Sequence, residues 1–531
     1  GSGNSSDLIT VNSPGIINIG NGAVFLFSSA GFAGGSGNFT LISGNWQTAP
    51  TPSTFTFASI DIAGLTGTFS YAGGNLTFSA QAGVTATWNG GGGDGSWATT
   101  GNWQGGAVPA SGADLVFTGS SQTSVATAGN RTTGAITFDS SAAAFTIGGN
   151  EITLGGNLAN NSNATQTINS AITLNADRTI IANTGNFVLG GDIALSNTAA
   201  LPGTLTFSGN SSTVVSGSIS DGPAAGGSLV KTGTGTLTLT GNNTFTGPLT
   251  IAGGTVEANS SEALGNSLTA TTNNLIFDGG TLRAIADIDA GAPVTRTVQL
   301  LGNGTIDTNG NNVTVGGPVV GTGNLLKAGS GNLTLTQGGA TNNSYSGETI
   351  VQQGSLVAAY AGSLGAAAGG TTVESGGALV IANQFNVNGE ALSLNGTGVG
   401  GTGALRLASG FQSSWNGTIT LAGNSSIQAD ANSIPTLAFL PYRKCGKGLQ
   451  LGWAENGHQM DTKTSTRGAL GDNSGELAHC SLTFRSRGHL RLRLRQTYEN
   501  SLSLNPPRTG QWNLLLCEFQ DGKTHQSGQG K

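Results

Sequence analysis

The chain is poor in charge, and its first 434 residues contain no cysteine, no histidine and no methionine. Charged residues make up 9% of the 531 positions, against roughly 25% in ordinary soluble proteins. Without histidine or cysteine, residues 1–434 cannot form Ser–His–Asp or Cys–His nucleophilic sites. The scarcity of charge and of aromatic residues (6%) also argues against several conventional globular domains.

Helical patterning is missing as well, because no segment of residues 1–434 keeps apolar residues at helical spacing over three turns. Glycine is abundant instead, with 90 residues, and threonine, valine and isoleucine are frequent. Disordered chains combine high net charge with few β-branched residues, whereas this chain has a formal charge of only −6. The composition therefore favours many short strands joined by tight turns.

The composition changes near Ile434. Residues 1–434 contain 7 basic and 19 acidic residues, whereas residues 435–531 contain 13 basic and 7 acidic residues. The second segment also contains every cysteine, histidine and methionine of the chain: Cys445, Cys480, Cys517, His458, His479, His489, His525 and Met460. Two explanations stay open for residues 435–531, a frame-shifted or misjoined sequence or a small domain, and we expect an irregular tail.

An internal repeat occupies residues 227–257 and 323–357. Both copies contain a lysine, an alternating run of the type LTLT, a turn rich in glycine and asparagine, and a second short run. Alternation at period two places Leu237 and Leu239 on one strand face and the flanking threonines on the other. A solenoid needs only a thin apolar interior, since each coil stacks on its neighbour. We therefore predict a right-handed parallel β-solenoid, with an all-β fold class.

The repeats resemble the autotransporter-associated β-strand repeat, which has a lysine start, a GTLTL strand, an N-x-[YF]-x-G corner and a GGTL ending. The signature residues of the first copy are Lys231, Gly233, Leu237, Asn243, Phe245 and Gly247. Those of the second copy are Lys327, Gly329, Leu333, Asn343, Tyr345 and Gly347. The resemblance implies an exported bacterial passenger β-helix, extracellular or at the outer-membrane surface. Its membrane anchoring is expected only through a region that this chain does not contain.

Residues 87–117 resemble the segment that opens many large exported repeat proteins of this class. Three tryptophans mark the segment: Trp88, Trp97 and Trp103. They are interpreted either as a cap that shields the end of the solenoid or as an exposed platform for stacking sugars. We accordingly expect three parts, namely residues 1–86 as the end of a preceding solenoid module, 87–434 as the repeat solenoid and 435–531 as the unlike tail.

Other candidate sites have weak sequence support. Asp287 and Asp289 would point to the same side of a strand, but a solvated strand edge explains such acids as well as catalysis does. Gly398, Gly400 and Gly403 form a G-x-G-x-x-G pattern that is followed by a strand-like run rather than a helix. We therefore predict no catalytic residue, no cofactor, no metal and no nucleic-acid partner.

The sequence favours a non-enzymatic exported or cell-surface protein, a stiff passenger or stalk that presents loops for adhesion or matrix contact. Surface glycans or the extracellular matrix are the expected partners, and the oligomeric state is not indicated. The alternative is a polysaccharide-binding or polysaccharide-degrading enzyme on a β-helix scaffold. Such enzymes cluster acids and basic residues in one groove, but residues 1–434 contain only seven basic residues.

Overall fold

The computed structural model describes residues 85–198, 201–266, 274–288, 295–336, 343–431 and 433 in full, and elsewhere only the backbone of the strands named below. The chain forms two compact units, one of residues 1–229 and 233–235 and one of residues 230–232 and 236–531. Each unit is built mainly as a parallel β-solenoid, which confirms the predicted all-β fold class. The predicted right-handed sense and the predicted domain limits stay predictions.

Three parallel sheets build the solenoid of the first unit. The first sheet contains Thr85–Trp88, Asp114–Phe117, Ile136–Phe138, Leu158–Asn160, Arg178–Ala182 and Thr204–Gly209. The second contains Ser124–Thr127, Thr146–Gly149, Gln166–Ile168, Phe187–Leu189 and Thr213–Val215. The third contains Arg131–Thr133, Ile152–Leu154, Ile172–Leu174, Ile193–Ala194 and Ile219–Ser220.

The second unit repeats this construction with sheets that we label A to D. Sheet A contains Leu249–Ile251, Leu275–Phe277, Val298–Leu300 and Val319–Gly321. Sheet B contains Thr236–Leu239, Thr255–Ala258, Thr281–Ala284, Gly304–Asp307, Leu325–Ala328, Thr349–Val351, Thr371–Val373 and Leu392–Gly396. Sheet C contains Val313–Val315, Asn332–Leu335, Gly354–Ala358, Gly377–Ile381 and Leu405–Leu407. Sheet D contains Asn386–Val387, Gln412–Trp415 and Ile434–Phe439.

Two strands belong to more than one of these groups. The long strand Ile419–Ala429 pairs through its first part with Leu392–Gly396 of sheet B and through its last part with Leu405–Leu407 of sheet C. Strand Ser228–Lys231 contains residues of both units. The described residues contain three short 3-10 turns, at Thr100–Asn102, Glu262–Leu264 and Val399–Gly401, and no α-helix.

The strands at the two ends of the chain pair differently. Before residue 85, Gly37–Ser43 and Thr66–Ala72 both pair antiparallel with Asn75–Gln81, while Ile9–Thr10 pairs parallel with Gly37–Ser43 and Val24–Phe27 pairs parallel with Thr56–Ser59. In the tail, His479–Arg485 pairs antiparallel with Ile434–Phe439 and with His489–Arg495, which pairs with Ser501–Leu504. Gly448–Trp453 pairs parallel with Ile419–Ala429 and antiparallel with Gln511–Leu515.

The apolar core follows the period-two pattern of the sequence. In strand Thr236–Leu239 the two leucines are buried and the two threonines are partly exposed, which confirms the predicted faces. Side chains at the same register stack from coil to coil, so that the rings of Phe117 and Phe138 lie 5.1 Å apart between centroids, with planes inclined by 25°. Stacking identical positions in this way fills a narrow core with few large residues.

Acidic and amide side chains stabilise the turns between coils. The Asp114 carboxylate accepts a hydrogen bond from the N–H of Ala135 one coil later, at 2.7 Å. Asp192 does the same with the N–H of Ser218, at 2.8 Å. Both N–H groups lie in turns, and these acids are used to satisfy them.

Candidate functional site: the buried repeat signature

The second repeat places its lysine entirely inside the solenoid. The Lys327 side chain is 0% exposed, and its Nζ donates to the carbonyls of Ala328, Gly329 and Gln353 at 2.7–2.8 Å. The Thr308 hydroxyl lies 3.1 Å from Nζ and donates to the Ala328 carbonyl, so the three ammonium protons are shared among four acceptors. Burial lowers the pKa of this ammonium group to about 8 from its usual 10.5. The amine therefore holds three backbone segments together and has no open face toward a substrate.

The first repeat repeats this arrangement. Lys231 is 3% exposed, its Nζ donates to the carbonyl of Thr232, and burial lowers the pKa of its ammonium group to about 8. Lys231 and Lys327 are the only lysines among residues 1–434. Both lysines of the repeat region therefore serve the interior.

The signature asparagine joins successive coils. The Asn343 side chain accepts a hydrogen bond from the N–H of Val319, at 2.8 Å, and donates to the carbonyl of Ser363, also at 2.8 Å. In the first copy, Asn243 donates to the carbonyl of Ala263, which lies 100 residues before Ser363. Both asparagines are buried, with 2% and 4% of their surfaces exposed. An amide suits this position because it offers a donor and an acceptor to groups on opposite sides.

The signature aromatic residue fills the corner beside the asparagine. Phe245 and Tyr345 are each 0% exposed. The Tyr345 hydroxyl lies 2.6 Å from the Thr349 hydroxyl, whereas the matching residue in the first copy is Leu249, beside a phenylalanine without a hydroxyl. Burial raises the pKa of the Tyr345 phenol. The same corner is thus filled by a hydrogen-bonded tyrosine–threonine pair in the second copy and by an apolar phenylalanine–leucine pair in the first.

The signature glycines and leucines are explained by space and backbone conformation. Gly233 and Gly329 have φ angles of +67° and +74°, in the left-handed region that favours glycine. At Gly347, an added Cβ would lie 2.1 Å from the carbonyl oxygen of Gly323. The remaining members are buried: Leu237, Leu333 and Gly247.

A buried arginine stabilises the turn that follows the first aromatic corner. Arg296 is 4% exposed, and its Nη2 donates to the carbonyls of Ser261 and Gly265 at 2.9 Å. Nη1 donates to the carbonyl of Leu264 at 2.5 Å. Burial lowers the pKa of this guanidinium to about 10. Burial of Arg296 could not be predicted from the sequence, since a lone arginine in a polar segment gives no signal of burial.

The three tryptophans of the opening segment meet in one cluster. Trp88, Trp97 and Trp103 are 0–1% exposed, and the ring of Trp103 lies 5.1 Å from Trp88 and 5.5 Å from Trp97. The Phe117 ring continues the cluster into the core, 5.9 Å from Trp88. Sugar stacking needs an exposed ring face, and the structure offers none at these three residues. Their proposed role as an end cap stays a prediction.

The loop around these tryptophans is organised by Asn102, which is 0% exposed. Its amide donates to the carbonyls of Asp94 and Ser96, each at 2.9 Å, and to the Asp94 carboxylate at 3.0 Å. Its oxygen accepts from the N–H of Gly92, at 2.8 Å. A hydrogen bond from the Thr99 hydroxyl lowers the pKa of the Asp94 carboxyl. This acid is therefore part of the loop framework.

The acids and glycines with weak sequence support are not brought together into a site in the described part of the chain. The Asp287 carboxylate accepts from the N–H of Asn312 at 2.7 Å, and Asp289 lies outside the described residues. The G-x-G-x-x-G glycines precede strand Leu405–Leu407, which confirms that no helix follows them. Within the described ranges, no group of three or more His, Cys, Asp or Glu side chains is placed to hold a metal ion.

The structure reveals a third aromatic corner that the sequence analysis missed. Trp415 is 2% exposed, and Gly417 two residues later packs against the preceding coil, as Gly347 does in the second copy. The run WNGTITLAG at 415–423 matches FTGPLTIAG at 245–253 in its aromatic, glycine and apolar positions. Between strand Leu405–Leu407 and Trp415 the chain contains two more residues than between Leu239 and Phe245 in the first copy. A search with the spacing of the first copy therefore does not find this match.

Comparison with known proteins gives one result for the repeats. The model of the passenger-associated-transport-repeat family matches residues 229–258 and 325–358, the two segments that contain the signature residues. No curated protein and no solved structure matches the chain. In the part of the chain that the structure describes, no helix is both long and apolar enough to span a bilayer.

The repeat match and the β-solenoid fit an autotransporter passenger repeat protein, as the sequence resemblance predicted. The family of the repeat is generally a structural β-helix and implies an exported bacterial protein of the cell surface.

Proposed function

We propose that the chain is a non-enzymatic passenger or stalk at the bacterial surface that binds glycans or matrix through its outer faces. The observation that carries the proposal is the use of the repeat signature, because its lysine, asparagine and aromatic residue are all consumed in holding coils together. The surface of the repeats is then formed by the outward-facing side chains, which alternate with the buried ones along each strand. We infer that contact with partners is made there.

The outer face of sheet B supports this assignment. Thr236, Thr255, Thr281 and Thr305 stand in register on four successive strands and are partly exposed. A parallel file of hydroxyls suits many weak hydrogen bonds to a polar polymer, since each hydroxyl both donates and accepts.

The neighbouring file on the same face contains charges that are paired with each other. Arg283 donates to Asp307 at 2.8 Å and to Glu257 at 3.5 Å, and the Thr238 hydroxyl donates to Glu257 at 2.9 Å. One cation between two acids leaves a single residual negative charge on this file, and such a weak net field favours contact with uncharged polymers over electrostatic steering.

Retention and release assays on the full chain test the proposal. The purified protein is applied to beads coated with neutral polysaccharides or with matrix proteins, while the same polysaccharides in solution are monitored for new reducing ends. We expect retention without release of oligosaccharides. Appearance of reducing ends that scales with protein concentration would favour the alternative, a polysaccharide-degrading enzyme.

A double substitution examines the outer threonine file. Thr255→Val with Thr281→Val removes two hydroxyls, while valine keeps the β-branched shape that strands favour. We expect weaker retention at an unchanged thermal midpoint. Equal retention by this variant and the wild type would remove the threonine file from the binding surface.

A further inference from the structure

Glu390 is an acid buried in the core of the second unit. It is 2% exposed and stands in the turn before strand Leu392–Gly396. Its Oε1 accepts a hydrogen bond from the Thr371 hydroxyl at 2.8 Å. The other buried charged residues of the described part are cations: Lys231, Arg296 and Lys327. Among the described residues, Glu390 is the one acid with a buried side chain.

The surroundings of this carboxyl group are hydroxyls and not cations. Thr349 and Thr371 lie in register on successive coils, and the Tyr345 hydroxyl binds Thr349 from within the core. Among the described residues, no lysine, arginine or histidine forms an ion pair with Glu390.

Two further acids flank the adjacent strands, Glu348 before Thr349–Val351 and Glu374 after Thr371–Val373. The carboxylate of Glu348 accepts from the Thr372 hydroxyl, and Glu374 is exposed after strand Thr371–Val373. Glu390 is buried and is not paired with a cation in the described part of the chain, so the protonated form of its carboxyl group is favoured.

The backbone of Glu390 is held tightly between coils. The indole Nε1 of Trp415 donates to the Glu390 carbonyl at 2.9 Å. At Gly417, an added Cβ would lie 1.7 Å from the same carbonyl oxygen, so the two turns are in direct contact. Movement of the coil that carries Trp415 away from the turn of Glu390 is therefore one route by which the buried side chain reaches water.

We propose that Glu390 is a proton-controlled latch on the third aromatic corner, closed when its carboxyl group is protonated and loosened when the group ionises. When the Glu390 carboxyl group is protonated, the coil that carries Trp415 stays packed on the turn before Leu392–Gly396. The ionised state opens that contact, because a carboxylate gains hydration that the closed interior does not supply.

The direction of the pH effect follows from burial. Burial raises the pKa of the Glu390 carboxyl to about 7 from its usual 4.5, and the hydrogen bond from Thr371 acts in the opposite direction. Between these two values an opened state is ionised while the closed state keeps its proton. The latch is therefore tightest in acid and weakens as the pH rises toward neutrality.

Hydrogen exchange on the full chain measures the latch. Exchange is followed by mass spectrometry from pH 5 to pH 8, with labelling times corrected for the intrinsic dependence of exchange on pH. In the wild type, we expect the protection of peptides that cover 386–396 and 412–421 to fall by about 50- to 100-fold across this range. Glu390→Gln, which keeps the shape without the ionisation, is expected to give protection that does not change with pH.

Two further variants separate the latch from a general effect of pH. Glu374→Gln removes an exposed acid one coil away and is expected to behave as the wild type. Thr371→Val removes the donor that favours the ionised form, so the midpoint of the loss of protection is expected to move to higher pH. Protection in the wild type that is independent of pH, the same pH dependence in Glu390→Gln, or an unmoved midpoint in Thr371→Val would each overturn the proposal.

Discussion

Replacing Lys327 by methionine removes the buried amine while keeping most of the length of the side chain. The carbonyls of Gly329 and Gln353 lose their donor, whereas the Ala328 carbonyl keeps the hydrogen bonds from the N–H and hydroxyl of Thr308. Each carbonyl left without a donor costs about 1–3 kcal/mol. Relief of the buried charge returns part of this, since lowering the pKa from 10.5 to about 8 corresponds to about 3 kcal/mol. We expect a net loss of about 1 kcal/mol in the free energy of unfolding at pH 7.

The pH dependence of this loss is the sharper part of the prediction. Between the lowered pKa of about 8 and the usual 10.5, the unfolded chain binds a proton at Lys327 that the folded chain does not bind. Stability of the wild type therefore rises with pH in this window, whereas Lys327→Met lacks this contribution. The gap between the two proteins is expected to widen by about 2–3 kcal/mol from pH 7.5 to pH 10.

Urea unfolding of the full chain, followed by circular dichroism at pH 7.5, 8.5 and 10, measures the gap. Arg283→Met is the matched control, because it removes a cation that is 38% exposed on the outer face. Its gap to the wild type is expected to stay constant with pH. A constant gap for Lys327→Met would refute the reasoning that burial suppresses the charge of this lysine.

The remaining predictions concern the same repeat. Asn343→Ala leaves a buried N–H and a buried carbonyl without partners and is expected to cost about 2–4 kcal/mol in urea unfolding. Gly347→Ala places a Cβ 2.1 Å from a carbonyl oxygen and is expected to destabilise strongly, whereas Gly400→Ala, with open space around it and φ of +60°, is expected to cost only about 1 kcal/mol. Tyr345→Phe alone removes one of the two hydrogen bonds of the Thr349 hydroxyl, which keeps its bond to the Leu364 carbonyl at 3.3 Å. Tyr345→Phe with Thr349→Leu recreates the apolar pair of the first repeat, and the double variant is expected to be more stable than the single one in thermal melts.

Much of the fold was predictable because the repeats obey simple rules. Alternation in the LTLT runs fixes which side chains face inward, and the paired copies place Lys231 and Lys327 in the strand that precedes each LTLT run. The resemblance also identified the right segments, since the family match falls on the same two copies. What it did not predict is that the signature is an internal framework and not an exposed surface.

Other features could not be predicted because burial of a single polar residue leaves no periodic trace. Glu390 and Arg296 lie in segments of ordinary turn composition, and only the packing of neighbouring coils shows that both are inside. Trp415 was not recognised as a repeat corner for another reason, since two additional residues separate it from the preceding strand compared with the first copy. The tryptophans of the opening segment were found, but the choice between an exposed platform and the interior depended on how the loop around Asn102 folds.

The burial of both lysines has a consequence for the chemistry of the intact surface. Residues 1–434 contain only these two lysines and five arginines, of which Arg296 is also buried. Amine-directed reagents and trypsin-like proteases act on exposed basic side chains, so the folded repeats offer them few points of attack. A solenoid that turns its lysines inward to hold its coils together thereby also withholds them from cleavage and acylation from outside.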